Sequence, residues 1–146
     1  MKYSKATNYA LHTMVYLVTL PKGSTIGVQR LAEMQNLSPT YLSKILTKLA
    51  KGGLIESTPG AKGGYKVSKP KDEISFLDVI KTVEGDSNLF HCSMDHNEGC
   101  MIENVMTEAE QNMKNDLDHK FLIDIANNME EMLLPIEREE QIKKEN

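Results

Sequence analysis

The sequence predicts a mainly α fold: a winged helix-turn-helix with a two-stranded β wing and a long C-terminal dimerisation helix. Three observations predict it: a reversal of charge along the chain, an amphipathic helix opened by Ser38-Pro39 and followed by a glycine-rich basic hairpin, and an apolar helical seam in the acidic remainder. The chain has 146 residues, 40% hydrophobic, 26% charged and 5% aromatic, which suits one globular domain with an appendage. Its net charge of −4 conceals the reversal. Residues 1–71 carry eleven Lys and Arg against only Glu33 and Glu56, a net of +9, while residues 72–146 carry six against nineteen acidic residues, a net of −13. A basic half attracts a polyanion by Coulomb force and counterion release, and an acidic half keeps the rest of the molecule off it.

The elements follow in order. Ser4 is placed to cap a first helix whose Ala6, Ala10, Leu11, Met14, Leu17 and Val18 recur at three- and four-residue spacing, and Pro21 with Gly23 ends it. A second helix is expected from about Val28 to Gln35, with Asn36 making the turn. Ser38 as N-cap and Pro39 at the first helical position open a third helix that runs to Lys51 and stops at Gly52-Gly53. Around that helix Leu42, Ile45, Leu46 and Leu49 form one stripe, and Thr40, Lys44, Thr47 and Lys51 form the opposite face with Lys48 at its margin. One side is core, and the other is a row of cations and hydroxyls suited to phosphates and base edges. Two helices joined by a short turn in this way match the helix-turn-helix that places its second helix in the major groove.

A strand at Leu54–Thr58, a turn at Pro59–Gly64 and a returning strand at Tyr65–Lys69 with Tyr65 and Val67 inward make a wing. Its glycines would admit close backbone approach to a phosphate or minor groove, with Lys62 supplying charge at the tip. The expected DNA-binding residues are Lys2, Ser4 and Lys5, then Ser38, Thr40, Tyr41, Ser43, Lys44, Thr47, Lys48 and Lys51, then Lys62, Gly63 and Gly64. Residues 1–71 are thus read as the DNA-binding domain.

Residues 72–134 are read as a linker helix, a sensor loop (86–100) and dimerisation helices, and 135–146 as a flexible charged tail. Ser75 with Asp78 resembles a capping box opening a helix over Phe76–Glu84, which Gly85 terminates. From Cys100 or Met101 a helix runs to about Leu117, and Ile102, Val105, Met106, Ala109, Met113 and Leu117 form its seam. A further helix, about Phe121 to Leu134, ends at Pro135. Met101, Met106 and Met113 are read as core filler.

The stretches Met1–Ala10, Ser38–Leu54, Gly60–Tyr65 and Phe76–Gly85 resemble the IscR/NsrR/CymR family of bacterial winged-helix repressors, over about residues 1–128. The resemblance implies a homodimer that binds palindromic operator DNA and represses or tunes transcription, with a signal read in the C-terminal half. Pro59 stands where many members carry an arginine before the wing's first glycine. Cys92 and Cys100 look like the first and last of three cysteines that iron-sulfur members place in this loop. The middle one is missing, Glu103 stands where some members have a histidine ligand, and Asn8 stands where others have an acidic one.

Asn88–Cys100 holds both cysteines and two of the four histidines, His91 and His96. Three sensors are consistent with it: a thiol switch at Cys92 and Cys100 reacting with oxidants or electrophiles; an iron-sulfur cluster with an atypical set drawn from Cys92, His96, Cys100 and Glu103; or zinc on His91, Cys92, His96 and Cys100. The thiol switch is the principal expectation. Alternatively both cysteines are inert and a protein co-regulator carries the signal. No apolar run reaches membrane-span length and Met1-Lys2-Tyr3-Ser4 leads straight into an amphipathic pattern, so the expected location is the cytoplasm, where thiols stay reduced. An enzyme is not expected: the chain has no phosphate loop, dinucleotide fingerprint or nucleophile motif.

Overall fold

The computed structural model describes residues 2–61, 63–86, 88–94 and 99–128. Lys62, His96, the last helix beyond Asn128 and the 135–146 tail lie outside the described residues. The order is α1 (Lys5–Thr19), α2 (Val28–Gln35), α3 (Pro39–Lys51), β1 (Ile55–Thr58), β2 (Gly64–Val67), a 3-10 turn (Lys71–Glu73), α4 (Phe76–Glu84), α5 (Met101–Asp118) and α6 (Leu122–Asn128). This is the expected winged helix-turn-helix, and its helices begin and end on local signals. Ser4, Ser38 and Ser75 each cap a helix by accepting from the amide three residues on, at Thr7, Tyr41 and Asp78. Asp78 returns the bond to Ser75 N–H at 3.0 Å, completing the capping box. Asn36 ends α2 in the left-handed conformation at φ 55°, which its short polar side chain tolerates.

The stripe Leu42, Ile45, Leu46 and Leu49 of α3 is buried against Met14 and Leu17 of α1 and Leu31 of α2 in one core. β1 and β2 pair antiparallel with Ile55 opposite Val67 and Thr58 opposite Gly64. The strands are shorter than the hairpin pattern suggests. Leu54 is buried and its amide is spent on Leu49 at the end of α3, so the strand starts one residue later; Ser68 N–H still reaches Leu54 O at 3.0 Å, and the Ser68 hydroxyl donates to Gly53 O. A third rung joins the wing to the body, where Ile26 and Tyr65 exchange bonds of 3.1 and 2.8 Å.

The charge changes sign at Lys71, but the packing does not. Ile74 and Val79 around α4 and Leu122 and Ala126 of α6 belong to the same core as α1 and α3. α6 is fastened by a bridge between Ser75 and Phe121, with Phe76 N–H on Lys120 O at 2.8 Å and Leu122 N–H on Ile74 O at 3.0 Å. α5 differs from every other helix of this length class: its one buried residue is Glu110, while Met101, Ile102 and Val105 are 84, 66 and 67% exposed.

Candidate nucleic-acid interface and cysteine loop

α3 presents the expected outer face. Thr40, Lys44, Thr47, Lys48 and Lys51 are exposed, and Ser43 is half-buried. Tyr41 packs edge-on against Tyr9 of α1 with ring centroids 5.9 Å apart, which fixes its phenol beside the face. The Ser38 hydroxyl oxygen is engaged as the cap of α3, and the Thr47 hydroxyl donates to the Ser43 carbonyl at 2.8 Å, leaving its lone pairs to accept. Lys2 and Lys5 are exposed at the start of α1.

Two of the expected contact residues also carry bonds within the chain. Ser4 N–H and its hydroxyl both donate to Glu84, at 2.7 and 2.8 Å. At the wing, Gly63 N–H donates to Gly60 O at 3.0 Å and is used within the turn. Its lack of a side chain has a packing cause: a Cβ there would lie 1.9 Å from Thr58 O. Gly64 is likewise demanded by the body, since a Cβ would meet the Ile26 backbone at 2.7 Å. Lys66, on β2, pairs with Glu56 across the strands at 3.4 Å.

The cysteine loop ends where α5 begins. Cys100 is the N-cap of α5, and its sulfur accepts from Glu103 N–H at 3.5 Å. Glu103 Oε2 in turn accepts from Cys92 N–H at 3.2 Å, which holds the two cysteines at one end of the helix. The Glu103 amide, with the Cys92 thiol next, lowers the Cys100 pKa and favours its thiolate. At Cys92 the Met94 backbone acts to lower the pKa, but the Cys100 sulfur, desolvation and the Glu103 charge together outweigh it and raise the pKa. The two sulfurs are therefore unlike, with pKa values shifted in opposite directions. Both are free and half-buried, and they line an open cleft of about 650 Å³ with Phe90, His91, Met94 and Ile102.

Among the described residues no three His, Cys, Asp or Glu side chains converge to hold a metal ion. The two thiols, Cys92 and Cys100, fall short of the thiolate set a cluster needs, and His96 lies outside the described residues. The residues described here do not fit an iron-sulfur cluster.

Two site residues escape sequence reasoning. Glu84 receives Ser4 and Thr7 from eighty and seventy-seven residues away. Glu110 is buried, accepts Leu89 N–H with both oxygens at 3.0 Å and pairs with Lys114 at 3.3 Å, tying the start of the sensor loop to α5. The i,i+4 Glu110–Lys114 pair is the one local sign of it.

A capped recognition helix with an outward cationic face, a wing and a separate helix led by a thiol pair define a winged-helix transcriptional regulator. The profile of the Rrf2 family, described as iron-dependent transcriptional regulators, matches residues 3–128, and the chain belongs to that family. It is 30% identical over 121 residues to YwgB of Bacillus subtilis (strain 168), named as an HTH-type transcriptional regulator, covering 79% of this chain and 78% of that one. Its fold is similar to CymR, the global cysteine regulator of B. subtilis (TM-score 0.76, 26% identity, 88% of this chain and 98% of that one). It is also similar to the oxidized form of Staphylococcus aureus CymR (TM-score 0.71, 31% identity, 86% and 96%). Among the described residues no helix is long and apolar enough to cross a membrane. The family's members are regulators and not enzymes, as expected from the sequence.

Proposed function

We propose that this protein is a homodimeric, cytoplasmic repressor that binds operator DNA through α3, the start of α1 and the wing, and that redox or electrophile chemistry at Cys92 and Cys100 modulates its binding. Each dimer lays its two α3 helices in successive major grooves, roughly 34 Å apart. Thr40, Lys44, Thr47, Lys48 and Lys51 supply the contacts, with Lys2 and Lys5 on the flanking backbone. The observation that carries the sensing half of the reading is the tethering of both cysteines to the first turn of α5 through Glu103. Oxidation or alkylation there adds a substituent to the sulfur that caps Glu103 N–H and weakens it as an acceptor, directly beside the exposed Met101, Ile102 and Val105 that would meet a second copy. A signal of this kind shifts DNA binding only through its differential effect on two arrangements of the dimer.

The test is electrophoretic retention of promoter DNA by reduced and by peroxide- or electrophile-treated protein, beside Cys92→Ser with Cys100→Ser. Treatment is expected to change the affinity of the native protein and leave the double variant unaffected. Equal response of both would overturn the sensing role. Lys44→Ala with Thr47→Ala should weaken retention, and binding that ignores both this change and salt would overturn the DNA-reading role.

A further inference from the structure

Glu84 is the last residue of α4, and its carboxylate lies over the first turn of α1. One oxygen, Oε1, accepts three hydrogen bonds: Ser4 N–H at 2.7 Å, the Ser4 hydroxyl at 2.8 Å and the Thr7 hydroxyl at 2.5 Å. The Thr7 bond, then that from Ser4 N–H, hold its pKa below the ordinary carboxylate value, and the Lys48 ammonium of α3 contributes in the same direction. A negative charge at this place also meets the positive end of the α1 dipole. α4 packs against α1, α3 and α5, and the fit to α3 is close: a Cβ on Gly52 would lie 2.5 Å from Thr82 of α4. One anionic side chain therefore joins the start of α1 to the end of α4, within the field of a lysine on the recognition helix.

We propose that Glu84 is a positioning and specificity-determining residue of the DNA-reading face, a role that rests on the DNA-binding reading above. Its three bonds set where the start of α1, with Lys2 and Lys5, stands relative to Lys48. Its charge, within the field of Lys48, weakens Coulomb attraction to any phosphate, whatever the sequence. The fixed spacing rewards only the duplex whose backbone follows the path that the three cations leave open. Glu84 thus trades non-specific affinity for discrimination, which is a ratio of affinities and not a gain in either. A carboxylate that merely stabilised the fold would act on specific and non-specific binding alike.

The experiment uses the full chain. Its preferred duplex is selected from a random-sequence pool with the native protein, and affinities for that duplex and for a random duplex of equal length are measured at two salt concentrations. Glu84→Gln is expected to lose about tenfold on the selected duplex while its random-duplex affinity holds or rises about twofold. Thr7→Val keeps the charge and removes the shortest bond; it should lose about threefold on the selected duplex alone. Thermal melting confirms that each variant is folded at the assay temperature, and Thr7→Val carries the test if Glu84→Gln is not. Equal losses on both duplexes, or an unchanged ratio, would overturn the proposal. If the native protein selects no sequence, the DNA-reading interpretation itself fails and Glu84 loses its role with it, an outcome visible before any variant is made.

Discussion

The body formed by α1–α4, the wing and α6 and the arm formed by the cysteine loop and α5 solve opposite problems. In the body the apolar stripes of five helices meet in one core, with Met14, Leu31, Leu42, Leu46, Leu49 and Ile74 essentially inaccessible. In the arm the buried residue is a carboxylate, Met101, Ile102 and Val105 face outward, and Met106, Met113 and Leu117 are half-buried. The body is complete within one chain. The arm has the pattern of a surface whose partner is another molecule, which is why a second copy of α5 is the natural occupant of the proposed dimer seam.

The sharpest way to break this contrast is Ile102→Asp with Val105→Asp. Burying each side chain in a dimer is worth roughly 1.5–3 kcal/mol, so the pair should weaken association by at least about a hundredfold. Sedimentation would then show monomers, while the melting of the body is unchanged. Should the variant remain dimeric, the seam lies elsewhere. Leu46→Ala tests the other region: a fully buried leucine truncated in a packed core loses about 2–5 kcal/mol of stability in urea unfolding. A loss near zero would show that the core is looser than its burial indicates. At the join between the two regions, Ser75→Ala removes half of the α4 capping box and should lower stability by about 0.5–2 kcal/mol. The smallest effect concerns pH. Because the Glu84 pKa is lowered in the folded protein, its contribution is fully present above the ordinary value of 4.5 and is lost as pH falls through the folded value. The difference in melting temperature between native protein and Glu84→Gln should therefore be constant from neutrality to about pH 4.5 and shrink below it. A difference that grows on acidification would contradict the sign.

Much of the body is legible in the sequence because its signals are local. Ser38-Pro39, Asn36, the Ser75–Asp78 pair and Gly85 each declare a helix end within four residues, and the stripe of α3 is a periodicity. The outward cations of α3 follow from the same periodicity. What escapes is long-range. Nothing near Ile26 announces a rung to Tyr65, and nothing in Leu122 or Ala126 announces a place in the core beside α1. Ser4 and Gly63, both expected at the DNA, also make bonds within the chain that no local pattern announces. Their acceptors, Glu84 and the Gly60 carbonyl, become visible only once the chain is folded.

The continuity of the core past Lys71 bears on engineering. A chimera spliced at the charge boundary would carry off Ile74, Val79, Leu122 and Ala126, stripping the recognition helix's own scaffold of one wall. The basic and acidic halves here are not interchangeable cassettes. An input from a different relative could be grafted only as the loop and α5, from Gly85 to His119, inserted between two elements that must both remain.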